Sequence, residues 1–193
     1  MDQLTFKFPF SKKYYEQDFY VSSNNFSAFK LIDNWPNWPG KWLNIFGESG
    51  SGKTHLSKIL NKKNKKTKLV EAKNINDSLI DDLINIDCLI IDNFNNNIEE
   101  NLFYSILNQS KQLDNFLMIN STNSIQNIHF DLKDLSSRIH SFIFIGIELP
   151  TDEILKVIIT KSLSDKQISV NPKLTNFIIN NVERSYEKMI KFI

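Results

Sequence analysis

The sequence predicts an α/β fold in which a parallel five-stranded sheet, with helices on both faces, precedes a small all-helical lid. Short apolar runs alternate with segments whose apolar residues recur at helical spacing. The run 88–91 is apolar at consecutive positions and is followed by an acid, which is typical of a central parallel strand buried on both faces. After the last apolar run only helical patterns follow. We therefore expect an arm at 1–15, an α/β domain at 16–149 and the lid at 150–193.

The composition indicates the class of protein and its compartment. The 193 residues include 23 basic and 22 acidic side chains, a net charge of +1, so direct DNA binding is expected to be weak or absent. The single Cys88 lies in an apolar run and cannot form an internal disulfide, which fits a core residue in a reducing cytoplasm. No apolar run reaches membrane-spanning length, and charges interrupt the region where a signal peptide would stand. We expect a soluble, cytoplasmic protein without a membrane partner.

The predicted fold is organised around a glycine-rich loop that fits the pattern G-x-x-x-x-G-K-[ST]. This phosphate loop consists of Gly47, Glu48, Ser49, Gly50, Ser51, Gly52, Lys53 and Thr54. It lies between a predicted strand at 42–46 and a predicted helix at 54–60, the context that the motif requires. Its glycines let backbone N–H groups surround a phosphate, Lys53 would reach the β- and γ-phosphates, and Thr54 would hold Mg²⁺. ADP or ATP with Mg²⁺ is the predicted ligand; the alternative is a glycine-rich turn with a solvent-facing lysine.

A helix, a loop and the N-terminal arm precede the phosphate loop. The helix ends near Asp33 and follows the capping residues 22–25. The Trp-Pro segment 34–40 must be a loop, and its tryptophans are expected to cover the edge of the domain. In the arm, residues 3–8 alternate polar and apolar before Pro9 interrupts regular structure. This pattern fits a strand-like arm packed on its own domain or a short linear motif that docks on another protein, and alone it favours the first.

After the phosphate loop, predicted strands and helices alternate up to the lid. The basic run 61–68 lacks interleaved aromatic residues, which favours a solvated turn over a nucleic-acid contact. The next predicted elements are a strand at 69–70, a helix capped by Asn76 or Asp77 that runs to Ile84, a strand at 87–92, a helix at 98–112, a strand at 116–119, a helix at 131–140 and a strand at 142–147. Lid helices are predicted to begin at 152, 171 and 183. The last continues to Ile193 without a C-cap, which suggests a truncated lid.

Polar residues follow two of the predicted strands. Asp92 ends the central strand, where it would emerge beside the phosphate loop and hold Mg²⁺ through water; an Asp that caps the next turn is the alternative. Residues 120–123 end the next strand and would sense the γ-phosphate or position water, unless they serve turn chemistry alone. The combination predicts a P-loop NTPase. His55, His129 and His140 are scattered without metal-ligand spacing, and His55 is expected to pack at the start of its helix.

The order of these motifs resembles that of the AAA+ ATPases, and among them the DnaA branch with its Hda-type members. The resemblance covers nearly the whole chain. Residues 52–55 are typical of the branch, and the segment 19–25 is similar to its nucleotide-pocket entry segment. The Trp-Pro loop 35–40 resembles that of alphaproteobacterial members, and residues 135–139 resemble the box that carries an arginine finger.

The resemblance implies roles for individual residues. Arg138 would be an arginine finger that reaches the nucleotide of a neighbouring subunit, and Arg184 would be the sensor-2 arginine of the lid. Sensor 1 would be Asn120 or Thr122. Outside the phosphate loop, nucleotide contacts are implied for Val21, Asn25 and His55. A peptide that binds the DNA polymerase sliding clamp, Gln-Leu-x-Leu-x-Leu/Phe, is similar to the arm at Gln3, Leu4, Phe6 and Phe8, which reverses the preference for a strand-like arm.

One position departs from the pattern of most AAA+ ATPases, which place an acid directly after the Mg²⁺-binding Asp. Asn93 stands there, and a neutral amide is a poor general base. The catalytic residues Asp92 and Asn93 are therefore expected to support only weak hydrolysis, and Arg138 would act on a partner. For Arg138 the alternative is an ion pair with Asp131 or Asp134 on its own helix.

The implied function is a nucleotide-bound regulator that promotes ATP hydrolysis by a DnaA-type initiator in complex with the sliding clamp. The alternative is an autonomous ATPase, such as a helicase loader or remodeller, that works in a homo-oligomer. A homodimer is a further expected form. A small P-loop kinase is disfavoured because no acceptor-binding segment is evident, and an initiator-type helix-turn-helix is not expected after Ile193.

Overall fold

The protein contains a five-stranded parallel sheet. The structure, a computed structural model, describes residues 19–95, 97–169 and 171–192. Its strands are β1 (Trp42–Phe46), β2 (Thr67–Glu71), β3 (Cys88–Phe94), β4 (Phe116–Ser121) and β5 (Ile143–Gly146). Their order across the sheet is β2-β3-β4-β1-β5, and each neighbouring pair is parallel. The predicted α/β fold with five parallel strands is confirmed.

Helices flank the sheet and follow it. They are α1 (Phe26–Asp33), α2 (Lys53–Lys63), α3 (Ser78–Asp82), α4 (Glu100–Gln112), α5 (Lys133–Ile139), α6 (Asp152–Asp165), α7 (Pro172–Asn181) and α8 (Tyr186–Phe192). Predicted caps are present at three of the starts, where the side chains of Asn76, Thr151 and Asn171 each accept a backbone N–H of the first turn. Within the described residues, no helix is long and apolar enough to cross a membrane.

Two predicted helices differ in extent from the observed ones. The helix expected to run to Ile84 ends earlier as α3, and the chain continues as a tighter 3₁₀ turn, Leu83–Asn85. The last helix begins at Tyr186 rather than at residue 183. Ser185 sets this start, because its Oγ accepts the N–H of Lys188 at 3.2 Å.

Both faces of the sheet are covered because alternate residues of each strand point to opposite sides. Leu89 and Ile91 of β3 lie in the core with α4 and α5. Cys88 and Ile90 of the same strand lie in the core with α1 and α2. All four side chains are fully buried, which explains why β3 is apolar at consecutive positions. Burial raises the pKa of the Cys88 thiol far above its ordinary range, as expected for an inert core residue.

The three lid helices, α6 to α8, share a smaller core of their own. Its buried members are Leu155, Ile159, Ile178, Ile179 and Met189. Because these residues come from all three helices, the lid packs as a unit beside the sheet.

Aromatic rings cover the amino-terminal end of β4. The rings of Trp35 and Trp38 lie 5.0 Å apart, and they contact Phe116 at 4.4 and 5.6 Å between centroids. The indole N–H of Trp38 donates to the carbonyl of Leu31 at 2.7 Å. Each ring is therefore engaged in packing, in agreement with the predicted covering role of the Trp-Pro loop.

The basic run at 61–68 is partly neutralised by acidic neighbours. Its ion pairs are Lys63 with Asp33, Lys66 with Asp87 and Lys68 with Asp82. These exposed pairs add little stability, but they reduce the positive charge that a nucleic acid would meet. The pairing favours the predicted solvated turn.

A buried asparagine in β1 anchors the loop that follows β4. The Asn44 amide Nδ2 donates to the carbonyl of Ile119 at 3.0 Å and to Ser121 Oγ at 2.9 Å. Its Oδ1 accepts the N–H of Ile125 at 3.1 Å. Asn44 is fully buried, so these hydrogen bonds form without competition from water. The end of β4 is thereby fixed beside the phosphate loop.

Asn44→Ala should destabilise the protein by roughly 2–4 kcal/mol, because it leaves the buried Ile125 N–H unpaired and creates a small cavity. Urea unfolding followed by circular dichroism measures this loss. Asn101→Ala, at an exposed position of α4, is the matched control and should change stability by less than about 0.5 kcal/mol. If the two variants were equally stable, the anchoring role of Asn44 would be wrong.

Candidate functional site

A cavity of about 450 Å³ opens at the carboxyl ends of β1, β3 and β4. It is lined by Ser49, Gly50, Gly52, Lys53, Thr54, His55, Asn93, Phe94, Asn95, Ser121, Thr122 and Ile190. Ligands of α/β proteins bind at this edge of the sheet, and the volume lies within the range of small-molecule sites. The phosphate loop, the end of the central strand and the polar end of β4 therefore meet at one place.

Glycines shape the phosphate loop. Gly50 and Gly52 adopt φ angles of 85° and 99°, in the left-handed region that other residues rarely enter. The N–H of Gly47 donates to the carbonyls of Ser121 and Thr122 at 3.2 and 3.1 Å. These bonds attach the first residue of the loop to the end of β4, so the position of the loop depends on the neighbouring strand.

Lys53 lies inside the phosphate loop. Its Nζ donates to the carbonyls of Gly47 and Glu48 at 2.6 and 2.8 Å and to Ser51 Oγ at 3.3 Å. Burial lowers the pKa of this ammonium group, and the charges of Asp92 and Glu48 act in the opposite direction. All of these hydrogen bonds go to neutral oxygens, so no acid is hydrogen-bonded to this cation, and a phosphate could replace these weaker acceptors. The loop therefore fits the phosphates of a nucleotide.

Two oxygen ligands suited to Mg²⁺ stand side by side at the base of the cavity. Thr54 Oγ1 donates to Asp92 Oδ2 at 2.7 Å. Asn120 Nδ2 donates to Asp92 Oδ1 at 2.8 Å and to Ser57 Oγ at 2.6 Å, which fixes the carboxylate. The described part of the chain contains no group of three or more His, Cys, Asp or Glu residues that could hold a metal. A P-loop site needs no such group, because phosphate and water complete the Mg²⁺ coordination.

The two sensor-1 candidates occupy different positions. Asn120 is fully buried behind Asp92, whereas Thr122 lines the cavity. Asn120 Oδ1 is buried without a hydrogen-bond partner among the described residues. Asn120 therefore orients the Asp92 carboxylate, and Thr122 is the candidate that can meet a ligand directly.

Asn93 lies on an irregularity of the central strand. The pairing of β3 with β4 shifts between Ile91 and Phe94, and Asn93 adopts φ 57° at this bulge. The residue is exposed and lines the cavity. Asn and Asp, whose short polar side chains can form local hydrogen bonds, tolerate left-handed backbone better than most residues, so the bulge favours a residue of this kind at position 93.

Arg138 is available for a partner. It lies near the end of α5 and is half-buried. Asp131 is paired with His129 at 3.6 Å, and no described residue forms an ion pair or side-chain hydrogen bond with Arg138. The alternative pairing with Asp131 or Asp134 is therefore not formed. Arg138 is not among the residues that line the cavity of its own chain.

Arg184 and the entry segment lie outside the lining of the cavity. The guanidinium of Arg184 pairs with Asp152 through two contacts of 3.0 Å. The Asn25 side chain holds the turn before α1 by accepting from the N–H of Ser22 and donating to the carbonyl of Tyr20, each at 2.9 Å. The predicted nucleotide contacts of Val21, Asn25 and Arg184 thus have no support from the cavity lining. The predicted contacts of His55 and of most phosphate-loop residues agree with the cavity lining. Three residues of the loop, Gly47, Glu48 and Ser51, do not line the cavity.

His55 both lines the cavity and packs at the start of α2. Its ring meets Phe19 edge to face at 5.3 Å, and Phe19 stacks on Phe29 at 5.7 Å. The predicted packing of His55 is confirmed.

A contact between the phosphate loop and the lid is absent from the sequence predictions. The Glu48 carboxylate accepts hydrogen bonds from Ser185 Oγ and from the N–H of Tyr186, the latter at 2.9 Å. Ile190 of the same helix lines the cavity. A serine before a helix signals a cap, but no local pattern indicates a carboxylate 137 residues away as its partner.

The clamp-binding prediction concerns residues that the structure does not describe. Gln3, Leu4, Phe6 and Phe8 all lie outside the described ranges.

The sequence matches no protein-family model and no curated protein, whereas solved structures share its fold. A DNA replication initiation factor has a TM-score of 0.79 at 19% identity, over 93% of this chain and 63% of that chain. AMPPCP-bound DnaA from Aquifex aeolicus has a TM-score of 0.73 at 20% identity, over 95% and 65%. Domain III of DnaA from Thermotoga maritima has a TM-score of 0.74 at 19% identity, over 94% and 86%.

The chain therefore shares its fold, a five-stranded parallel sheet with flanking helices, with these solved structures of DnaA and of a replication initiation factor. The chain spans 63% and 65% of the length of the first two of these structures.

The hydroxyl of Tyr186 should make lid packing sensitive to alkaline pH. Burial, followed by the charge of Glu48, raises its pKa from 10.0 to about 12. Because the folded-state pKa is raised, this contribution to stability is complete below about pH 10 and is lost as the pH rises to about 12. Tyr186→Phe cannot ionise, and it should shift the alkaline unfolding midpoint, measured by circular dichroism, to higher pH. Tyr20→Phe, at an exposed ring, is the control; an unchanged midpoint in Tyr186→Phe would contradict the prediction.

Proposed function

We propose that this chain is a nucleotide-bound regulator of replication initiation that promotes ATP hydrolysis by a DnaA-type initiator at the sliding clamp. The observation that carries the proposal is Asn93. It stands beside Asp92 in a cavity that otherwise has the residues to bind ADP or ATP with Mg²⁺. A site that binds nucleotide but lacks a base suits a regulator better than an enzyme that turns over on its own.

Nucleotide binding would use the phosphate loop and the acid of β3. The loop N–H groups and Lys53 would surround the phosphates, and Thr54 with Asp92 would hold Mg²⁺, which neutralises phosphate charge when bound. The similar DnaA from Aquifex aeolicus contains AMPPCP, which supports a nucleotide as the ligand.

Hydrolysis by this chain would be slow because Asn93 cannot accept a proton from water at neutral pH. A glutamate at this position would also have to adopt the left-handed backbone of the bulge, which residues other than Gly, Asn and Asp rarely enter. The nucleotide would then serve mainly as a bound cofactor that orders the site.

The unpaired Arg138 supports action on a partner. A guanidinium without an ion pair, at the end of a helix away from its own cavity, remains free to approach the γ-phosphate of another subunit. Such a cation stabilises the negative charge that develops during phosphoryl transfer. In this proposal the partner is a DnaA-type initiator, and a homodimer is a form in which the same arginine meets a second copy.

Recruitment to the sliding clamp rests on the sequence of the arm, residues 3–8. The resemblance of this segment to clamp-binding peptides supports a role of the arm as a tether. The division of the rest of the chain into an α/β domain at 16–149 and a lid at 150–193 belongs to the same proposal.

An autonomous ATPase is the second candidate, and the intact Thr54–Asp92 pair favours it. Such an enzyme should turn over ATP without partners. A regulator should retain its nucleotide and require DnaA and the clamp for an effect on hydrolysis.

Arg138→Ala should abolish the stimulation of DnaA hydrolysis while folding and ADP binding remain normal. Arginine fingers supplied to a neighbouring site accelerate phosphoryl transfer by roughly 10³–10⁵, so nearly all of the stimulation should be lost. Phosphate release by DnaA, with DNA-loaded clamp and the variant, measures it. Lys133→Ala, an exposed cation on the same helix, is the matched control and should stimulate normally. Full stimulation by Arg138→Ala would remove the proposed mechanism and favour the autonomous ATPase.

Replacing both Gln3 and Leu4 by Ala should remove clamp binding and leave ADP affinity unchanged. Peptide contacts of this type concentrate their free energy in a few anchors, each worth about 2 kcal/mol or more. Surface plasmon resonance on immobilised clamp measures the loss. The control is the double variant Lys12→Ala/Lys13→Ala, which changes the same arm outside residues 3–8. Wild-type clamp affinity in the Gln3/Leu4 variant would return the arm to the strand-like interpretation.

A further inference from the structure

The lid is attached to the phosphate loop through one carboxylate. Glu48 is the second residue of the loop, and its two carboxylate oxygens bind different groups of the lid. One accepts the hydroxyl of Ser185, and the other accepts the backbone N–H of Tyr186 at 2.9 Å. Hydrogen bonds to a charged acceptor are about twice as strong as those between neutral groups.

The first turn of α8 is capped by two separate parts of the chain. Ser185 Oγ accepts the N–H of Lys188 at 3.2 Å while it donates to Glu48. Glu48 takes the N–H of Tyr186, which has no partner within the helix. The start of α8 therefore depends on the phosphate loop for its hydrogen bonds, so displacement of the loop would leave the Tyr186 N–H unpaired.

Apolar contacts hold the same helix directly on the loop. A Cβ added to Gly50 would lie 2.7 Å from Ile190 Cδ1 and 3.3 Å from Tyr186 Cβ. Tyr186 is buried, and Ile190 forms part of the wall of the nucleotide cavity. The position of α8 thus decides the shape of that wall.

The contact also fixes the position of the negatively charged Glu48 carboxylate. Glu48 is the only acid in the phosphate loop, and its charge is felt by Lys53. While Ser185 and the start of α8 donate to this carboxylate, the Lys53 ammonium donates to the loop carbonyls and Ser51 rather than to an acid. A released carboxylate would compete with phosphate for Lys53 and would repel the phosphate itself.

We propose that Glu48 is a positioning residue of the nucleotide site, which holds α8 over the phosphate loop so that the lid retains bound nucleotide. The link to nucleotide retention rests on the proposed nucleotide binding. The hold on α8 does not, because the contacts form within the chain itself. Loss of Glu48 should therefore loosen α8 in the absence of ligand and speed nucleotide release when ligand is present.

The test compares Glu48→Ala with Glu187→Ala in the full chain. Glu187 is an acid of the same helix that pairs with Lys191, and among the described residues it forms no ion pair or side-chain hydrogen bond with the loop. Hydrogen exchange by mass spectrometry reports on residues 186–192 without nucleotide, and stopped-flow displacement of fluorescent ADP reports the release rate. In Glu48→Ala both rates should rise by roughly tenfold or more, the effect of losing hydrogen bonds to a charged group. In Glu187→Ala both should stay within about twofold of wild type.

Glu48→Gln distinguishes positioning from general loosening of the fold. Its amide oxygen can still accept one hydrogen bond from α8, so exchange and ADP release should both fall between wild type and Glu48→Ala. Wild-type exchange of α8 in Glu48→Ala would overturn the proposal, as would faster exchange with unchanged ADP release or equal effects in Glu187→Ala. If the wild-type protein bound no ADP, the proposed function would be wrong, and so would the link between Glu48 and nucleotide release. Hydrogen exchange measured without nucleotide would still decide whether Glu48 holds α8.

Discussion

The hydrogen bond from Thr54 Oγ1 to Asp92 Oδ2, 2.7 Å long, is the contact on which the rest of the site depends. It joins the helix after β1 to the end of β3, although these two strands are not neighbours. The strand between them is β4, and its Asn120 spans the gap by donating to Asp92 and to Ser57 of α2. The strand order therefore contributes to the site, because β4 lies between β3 and β1 and its Asn120 links the Asp92 carboxylate to α2.

The parts of this structure with local signals could be predicted from the sequence. The phosphate loop combines glycines, a lysine and a threonine at fixed spacing, and four consecutive apolar residues precede Asp92, so the strand, loop and helix could be assigned from local sequence. The parts set by distant partners could not. Nothing near Asn44 indicates that its amide would bind Ile119 and Ser121, and nothing near Glu48 indicates the lid. The bulge at Asn93 could not be predicted from the sequence either, because it arises from the pairing of β3 with β4 rather than from a turn motif.

Nucleotide binding and ATP hydrolysis require different groups in this cavity. The chain has the groups that binding requires, but it lacks a general base for hydrolysis. The loop glycines, Lys53 and the Thr54–Asp92 pair supply what phosphate and Mg²⁺ require. At Asn93 the neutral amide departs from what a general base needs. The attachment of α8 to the loop adds a wall to the same cavity, because Ile190 of this helix lines it. Together these features support the proposal of a protein that holds a nucleotide and acts on a partner.

The central claim is that the chain holds a nucleotide that it scarcely hydrolyses. A single experiment tests it most directly: the purified protein is mixed with Mg²⁺ and radiolabelled ATP, and bound nucleotide and released phosphate are followed together. The account predicts one nucleotide bound per chain and, without partners, turnover far below the ~10 s⁻¹ that is the median for enzymes. Failure to bind nucleotide, or sustained turnover near that value by the protein alone, would contradict it.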